Sequence, residues 1–316
     1  MYRPEIKVLD CTIRDGGLMN NWGFDKALVK DVFEGLVAAG VDYVELGYRA
    51  DKKMFPPTES GIWRYCDEED VRDVAFKTDA TKISIMCDVG RTDYDAFLPA
   101  SDSVISMVRV ATYTKDIDKA IHLGQHVHDL GYETTCNIMA ISHVLEPDLD
   151  EALDELAKAK FFKVVYLVDS FGYFYSEQVQ YLAEKYLNKL KPAGMEIGIH
   201  AHNNLQLGFG NTIEAIIRGV NYLDGTIYGM GRAAGNCPLE LLVDFLKNPK
   251  FDSRPILDLV QKYFVKMKTD LRWGYEIPYA ITGLLNKHPR AALAFMKGAH
   301  GDSFREFYDK LLEAEE

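Results

Sequence analysis

Eight apolar runs of strand length recur along the chain, and between them lie stretches whose apolar residues repeat at helical spacing. The runs cover residues 6–10, 43–47, 82–88, 104–110, 133–139, 164–169, 196–200 and 222–227. Helical patterns fall near 26–39, 68–77, 117–130, 149–160, 176–190, 205–218 and 239–247, with a short, weak crossover near 94–98. A run such as Val164-Val165-Tyr166-Leu167-Val168 is apolar on both faces, which suits a parallel sheet covered by helices. An open, doubly wound sheet has the same local pattern. The count of eight favours a closed TIM (β/α)8 barrel. The rhythm stops near residue 250. Residues 255–268 and 289–297 read as helical, and 303–316 as a charged terminal helix. The predicted organisation is a catalytic barrel over 1–250 and a C-terminal helical extension over 251–316, packed on the barrel.

With 316 residues, 47% of them hydrophobic, the chain can bury a large core. Its formal net charge of −12 argues against nucleic acid as a partner. The 5 cysteines are odd in number and none has CxxC spacing, which predicts buried, reduced thiols in a cytoplasmic protein. The N-terminal residues run straight into a strand without a signal-peptide pattern, and no run approaches the ~18 apolar residues of a membrane span.

In a barrel, functional groups gather at the carboxyl ends of the strands. Here those ends carry Asp10, Arg14 and Asp15, then Glu45, Asp88, Arg109, Asn137, Asp169 with Ser170, His200 with His202, and the loop Gly229-Met230-Gly231-Arg232-Ala233-Ala234-Gly235-Asn236. His200 and His202 are i and i+2 on a strand, so both imidazoles point the same way. Two imidazoles and one carboxylate form a divalent-metal set that leaves positions open for substrate. Asp15 is the candidate carboxylate, although Asp-Gly is also a turn signal. Arg14 reads as an ion-pair partner of Asp10 or Glu45. His126 and His128 share the spacing but sit in a helical pattern, about 200° apart around the axis. His122 and His126 have the i, i+4 spacing on a helix expected to face solvent. The glycine-rich loop lacks dinucleotide-binding spacing.

These segments, Leu9-Asp10-Cys11-Thr12-Ile13-Arg14-Asp15-Gly16-Gly17, Glu45, His200-Ala201-His202-Asn203-Asn204 and the loop ending at Asn236, resemble the DRE-TIM metallolyases, the HMGL-like or pyruvate carboxyltransferase-domain family, over roughly residues 5–250. Within it, Gly231-Arg232-Ala233-Ala234-Gly235-Asn236-Cys237-Pro238-Leu239-Glu240 is most similar to the 4-hydroxy-2-oxovalerate aldolases. The resemblance implies a divalent ion, manganese first, with magnesium, cobalt or zinc as alternatives, held by Asp15, His200 and His202. It gives Arg14 an electrophilic role, brings Asn236 to the metal site and places Asp169 and Ser170 in the pocket. Glu45 would orient Arg14, contact a metal-bound water or be a core carboxylate. Aromatics of 273–279, Tyr275 among them, would lid the pocket or seal the barrel.

The implied activity is cleavage or formation of a C–C bond in a 4-hydroxy-2-oxo acid through a pyruvate enolate. A Claisen-type condensation of an acyl-CoA with a 2-oxo acid is the alternative, and an inactive barrel acting as a binding subunit is the third reading. The aldolases carry a histidine shortly after Arg-Asp-Gly that serves as the base. This chain has Gly17-Leu18-Met19-Asn20-Asn21-Trp22 instead, so either a metal-bound water, Tyr48, Tyr275 or Tyr279 takes the proton, or the substrate differs. A homo-oligomer, and an aldehyde dehydrogenase as partner, are further expectations of the resemblance.

Overall fold

The computed structural model describes residues 2–298 and 303–314. Eight parallel strands close into a barrel in sequential order, with the first strand pairing the last. They are β1 (Lys7–Asp10), β2 (Tyr43–Tyr48), β3 (Lys82–Asp88), β4 (Ile105–Thr112), β5 (Glu133–Ile138), β6 (Val164–Asp169), β7 (Glu196–Ala201) and β8 (Tyr222–Gly225). Each coincides with one of the eight apolar runs. The outer layer comprises α1 (Thr12–Asn20), α2 (Lys26–Ala38), α3 (Glu68–Val74), α4 (Ile117–Asp129), α5 (Glu146–Ala159), α6 (Ser176–Leu190), α7 (Gly208–Arg218) and α8 (Leu239–Leu246). The crossover from β3 to β4 holds only a 3-10 turn, Tyr94–Ala96, as its weak pattern predicts. All five cysteines are buried and free. Among the described residues no helix is long and apolar enough to cross a membrane.

Side chains alternate along each strand, so the inward positions stack in layers inside the barrel. The lower end is closed by Tyr43 and Tyr222, whose rings lie 6.1 Å apart, and by Glu133 with Lys82 and Lys163. The middle holds Glu45, Arg109, Tyr166 and Asp224, all buried. Arg109 sits 4.2 Å from the Tyr166 ring and donates to Glu45 Oε2 (3.0 Å) and Asp224 Oδ2 (2.6 Å). Above them, at the carboxyl rim, come Met86, Ala111, Asn137, Val168 and His200. The larger core lies outside, between the sheet and the helices.

One helix departs from the expected turn after β1. Gly16 and Gly17 are each about 1 kcal/mol poorer than alanine in a helix interior, yet α1 runs through both. Its first turn is held by Asp10, which accepts from the Thr12 backbone N–H (3.1 Å) and hydroxyl (2.5 Å). Its second glycine is required: a Cβ on Gly17 would lie 2.0 Å from the Trp22 indole. Burial pushes the Asp10 carboxyl up to about 7 against those hydrogen bonds.

After α8 the chain continues as α9 (Arg254–Leu259), a π-helical turn, Val260–Phe264, and α10 (Val265–Leu271), then α11 (Ile277–Leu284), α12 (Arg290–Lys297) and α13 (Phe304–Glu313). The pattern at 255–268 falls on α9 and α10, and that at 289–297 on α12. The last residues of the expected terminal helix, 315 and 316, lie outside the described residues. Helix α11, absent from the sequence reading, starts with Pro278 in its first turn. Tyr279, Ile281, Ala292 and Phe307 of this extension pack against Ala233 and Ala234 in the loop after β8. Trp273 Nε1 donates to the Tyr228 carbonyl (2.9 Å), tying the extension to the same rim.

Two outcomes follow. Replacing Arg109 with methionine leaves Asp224 without a guanidinium partner in the core and Glu45 with Arg14 alone, and should lower the urea-unfolding free energy by about 3–5 kcal/mol; a loss under about 1 kcal/mol would contradict this account. For Asp10, the folded carboxyl keeps its proton to about pH 7 while the unfolded chain releases it near pH 4, so wild-type stability falls as pH rises between those values. The urea midpoint of Asp10→Asn, relative to wild type, should therefore climb from about pH 4.5 to about pH 8; a constant difference would contradict the raised pKa.

Candidate active site

His200 and His202 both face the rim of the barrel interior, as their strand spacing predicts, with ring centroids 4.9 Å apart. His200 Nδ1 donates to Asp224 Oδ2 (2.9 Å) and His202 Nδ1 donates to the Asp169 carbonyl (2.9 Å). Both acceptors lack a proton, so each ring carries a hydrogen on Nδ1, and Nε2 is the atom each neutral ring presents to a ligand. Both Nε2 atoms are buried and have no hydrogen-bond partner. An unpartnered buried polar atom costs about 1–3 kcal/mol. Two of them beside one carboxylate mark a place built for a shared ligand.

That carboxylate is Asp15. Its ligand atom and one from each histidine all lie within 4.8 Å of one another. Asp15 stands on α1 rather than in a turn. Its Oδ1 accepts from Arg14 Nη1 (2.6 Å) and its Oδ2 from Asn236 Nδ2 (2.6 Å). Burial would raise the Asp15 carboxyl, but Arg14, His202, His200 and Asn236 outweigh it and hold it well below the usual carboxylate range. Burial pushes His202 the other way from its ordinary value, down, against the pull of Asp15. A carboxylate and two neutral imidazoles are the protonation states a divalent ion needs. Cys11, His200 and Asp224 also lie close together. There the His200 Nδ1 and the Asp224 carboxylate are already committed to each other and to Arg109, and burial pushes the Cys11 thiol up. Asp224 Oδ1 is also without a partner, but the Asp15 grouping is the one that brings two unpartnered imidazole Nε2 atoms to one carboxylate.

Arg14 donates from Nε to Glu45 Oε2 (2.8 Å), while its Nη2 is buried without a partner. Glu45 does not line the cavity; it is shared between Arg14 and Arg109 and aims the former. The cavity has about 80 Å³ of space and is bounded by Arg14, Asp15, Tyr48, Ser170, the two histidines and Arg232, with Met86, Met139 and Val168 as apolar wall. Ser170 therefore stands where it was expected. The Asp169 carboxylate does not: it accepts from the backbone N–H groups of Tyr173 (2.9 Å) and Phe174 (3.2 Å), and burial raises it to about 6. Its contribution is its carbonyl, which orients His202. Asn236 is behind Asp15, with Oδ1 buried and unpartnered. Tyr275 is 60% exposed and outside the lining residues, because the chain turns it outward before α11. Tyr279 is buried within the extension. Of the tyrosines expected to handle a proton, Tyr48 alone reaches the cavity. Burial raises its phenol far above neutrality, so it keeps its proton.

Sequence reasoning missed Asp224 and Arg232. Asp224 is an acid at an inward position of an apolar strand, the same parity as Tyr222, and that parity was the available signal. Arg232 lies in the glycine-rich loop with its Nε buried and unpartnered. Gly231 beside it has a steric reason: a Cβ there would lie 2.1 Å from Asn236 Nδ2 and 2.4 Å from Asp15 Oδ2.

An eight-stranded β/α barrel with an aspartate and two histidines converging at its carboxyl rim defines the class, a TIM barrel with a potential divalent-metal centre. The chain belongs to the HMGL-like family, whose model matches residues 5–266. It is 29% identical over 241 residues to the oxaloacetate decarboxylase of Mycobacterium tuberculosis, covering 76% of this chain and 69% of that protein. It is 31% identical over 249 residues to the 4-hydroxy-2-oxovalerate aldolase of Pelotomaculum thermopropionicum, covering 77% and 70%. Among solved structures, the N-terminal domain of a candidate aldolase from Bacteroides vulgatus superposes with a TM-score of 0.76 at 27% identity, over 95% of this chain and 100% of that one. The HMG-CoA lyase of Brucella melitensis shares the fold, with a TM-score of 0.67 at 13% identity over 84% of this chain and 99% of that one.

Gly231→Ala should keep the far-UV circular dichroism of the wild type and lose about tenfold or more in Mn²⁺ affinity, measured by calorimetric titration, because it displaces the groups that orient Asp15. Unchanged affinity would separate the glycine from the site.

Proposed function

We propose that the chain is a divalent-metal-dependent carbon–carbon lyase that cleaves or forms a bond of a 4-hydroxy-2-oxo acid by way of a pyruvate enolate. The observation that carries this reading is the pair of unpartnered imidazole Nε2 atoms facing Asp15, with a spare Arg14 N–H beside them. Asp15, His200 and His202 would hold the ion, with manganese the first choice. When bound, the ion supplies Lewis-acid polarisation of the 2-oxo group.

The chain's own residues do the rest. Arg14 Nη2 is a fixed donor for an oxygen on which negative charge develops, and it is desolvated, where such a contact is strongest. Glu45 prevents Arg14 from swinging away. Arg232, on the opposite loop, offers a second guanidinium to a carboxylate. Met86, Met139 and Val168 exclude water from the carbon skeleton. Tyr48 keeps its phenolic proton and can donate it to the enolate carbon or, in the synthetic direction, to the alkoxide forming at the aldehyde oxygen.

The activities for which the two relatives are named share one half-reaction. Oxaloacetate losing carbon dioxide and 4-hydroxy-2-oxovalerate losing acetaldehyde both leave a pyruvate enolate. They differ in that the aldol cleavage needs a base for the 4-hydroxyl and decarboxylation does not. Apart from Asp15 and the two histidines, no described residue lining the cavity is a base at neutral pH, which favours decarboxylation as the second reading.

With Mn²⁺ present, the wild type should exchange the methyl protons of pyruvate for deuterium and should release pyruvate from a 4-hydroxy-2-oxo acid. Arg14→Ala should lower kcat by about three orders of magnitude, roughly 4 kcal/mol of transition-state stabilisation. Release of carbon dioxide from oxaloacetate without any aldehyde from the hydroxy acids would select the second reading. Absence of both activities and of the exchange would overturn the proposal.

A further inference from the structure

Beside the cavity at the metal triad lies a second chamber of about 220 Å³, which shares Leu18 and Tyr48 with the first. Three guanidiniums line it, Arg64, Arg91 and Arg290, and its one carboxylate among the described residues is Asp88. Three separate segments supply these groups: the loop after β2, the end of β3 with the loop that follows it, and the start of α12. Arg232 in the first cavity belongs to the same electrostatic neighbourhood, since Arg290 and Arg14 both oppose its charge beyond the cost of its burial. In a chain of net charge −12, so concentrated a positive mouth runs against the average surface.

Arg64 shows that this charge is held ready. Its guanidinium lies 3.9 Å from the Phe55 ring centre and 4.8 Å from that of Trp22. It donates to the Ser60 hydroxyl at 2.8 Å. Neither Arg64 nor Arg290 forms an ion pair with a carboxylate among the described residues. Arg91 shares Asp88 at a long 3.8 Å. Stacking on two aromatic rings fixes the planar fork at low entropic cost and leaves its N–H edge free for an anion. A neutral alkyl tail would gain nothing from three such groups, whereas a carboxylate or phosphate would form charge-assisted, bidentate contacts.

We propose that this chamber is a second anion site, and that the substrate is a 2-oxo acid with a further carboxylate or phosphate several bonds from its 2-oxo-carboxylate end. The inference rests on the reading that the 2-oxo-carboxylate end sits at Asp15, His200 and His202. The substrate then lies past Tyr48 and Leu18 with an anionic group at each end. Aldol cleavage would release pyruvate and an aldehyde that keeps the second anion. In the synthetic direction, the acceptor would be an aldehyde bearing a carboxylate or phosphate.

The test is binding, which does not depend on turnover. Calorimetric titration of the Mn²⁺-loaded protein compares 2-oxoglutarate, 2-oxoadipate and 2-oxopimelate with the unbranched 2-oxo monoacids of the same carbon count, and with a 2-oxo acid ending in phosphonate. At least one dianionic member should bind about tenfold or more tightly than its monoanionic match. That advantage should vanish in Arg64→Gln and Arg290→Gln, while the monoacid dissociation constant stays within about twofold of wild type. Whether diacid or phosphonate wins identifies the second group. Monoacid binding without any dianion advantage, or an advantage that survives both substitutions, overturns the second site and leaves the reading of the first intact. Failure of every 2-oxo acid to bind the Mn²⁺-loaded protein overturns both.

Discussion

A buried chain of alternating charge crosses the barrel and ties together residues far apart in sequence. It runs from Asp15 to Arg14, from Arg14 to Glu45, from Glu45 to Arg109, from Arg109 to Asp224, and from Asp224 to His200. Every link is 3.0 Å or shorter, and every member is buried. Buried ion pairs contribute little net stability, because desolvation offsets much of their attraction. Their effect here is positional. The two ends of the chain are two of the three proposed metal ligands, so the orientation of one is mechanically linked to that of the other.

The same network sets the chemistry of the rim. Asp224 fixes the His200 tautomer, the Asp169 carbonyl fixes that of His202, and Arg14 with Asn236 keeps Asp15 ionised. Each proposed ligand thus has a supporting partner, the arrangement that tunes metal affinity in general. Glu45 uses one oxygen for two guanidiniums, which leaves Arg14 with a free N–H edge at the cavity. The site is assembled from β1 and α1, β7, and the loop after β8, so its precision depends on barrel closure between β8 and β1. The extension contributes from outside, bracing the loop after β8 through Trp273 and the apolar contacts of α11, α12 and α13.

The barrel was legible because parallel strands buried on both faces must read as apolar runs, and eight of them leave few architectures. His200 and His202 were legible for the same reason of period two. Asp15 and Asn236 came from the likeness of their segments to a known family, which the match over residues 5–266 bears out at the level of family. Helix α1 was hidden by Gly16-Gly17, which do not turn the chain: Gly17 lets the Trp22 indole approach and Gly16 lies against Met230. Helix α11 was hidden by Pro278 and its aromatic neighbours. Arg109 read only as one polar group at a strand end and Asp224 was not singled out, because their partnership spans the barrel interior between β4 and β8 and exists only after closure. Tyr275 and the Asp169 carboxylate show the converse: a residue type that suits a pocket, in a segment near one, turned by local backbone toward solvent or toward neighbouring amides.

A crystal grown with Mn²⁺ and measured at an energy where manganese scatters anomalously tests the centre of this account most directly. The account predicts one strong anomalous peak within bonding distance of an Asp15 oxygen and of Nε2 of both His200 and His202. A peak on the Cys11 side of His200, or manganese bound only elsewhere on the molecule, would contradict it.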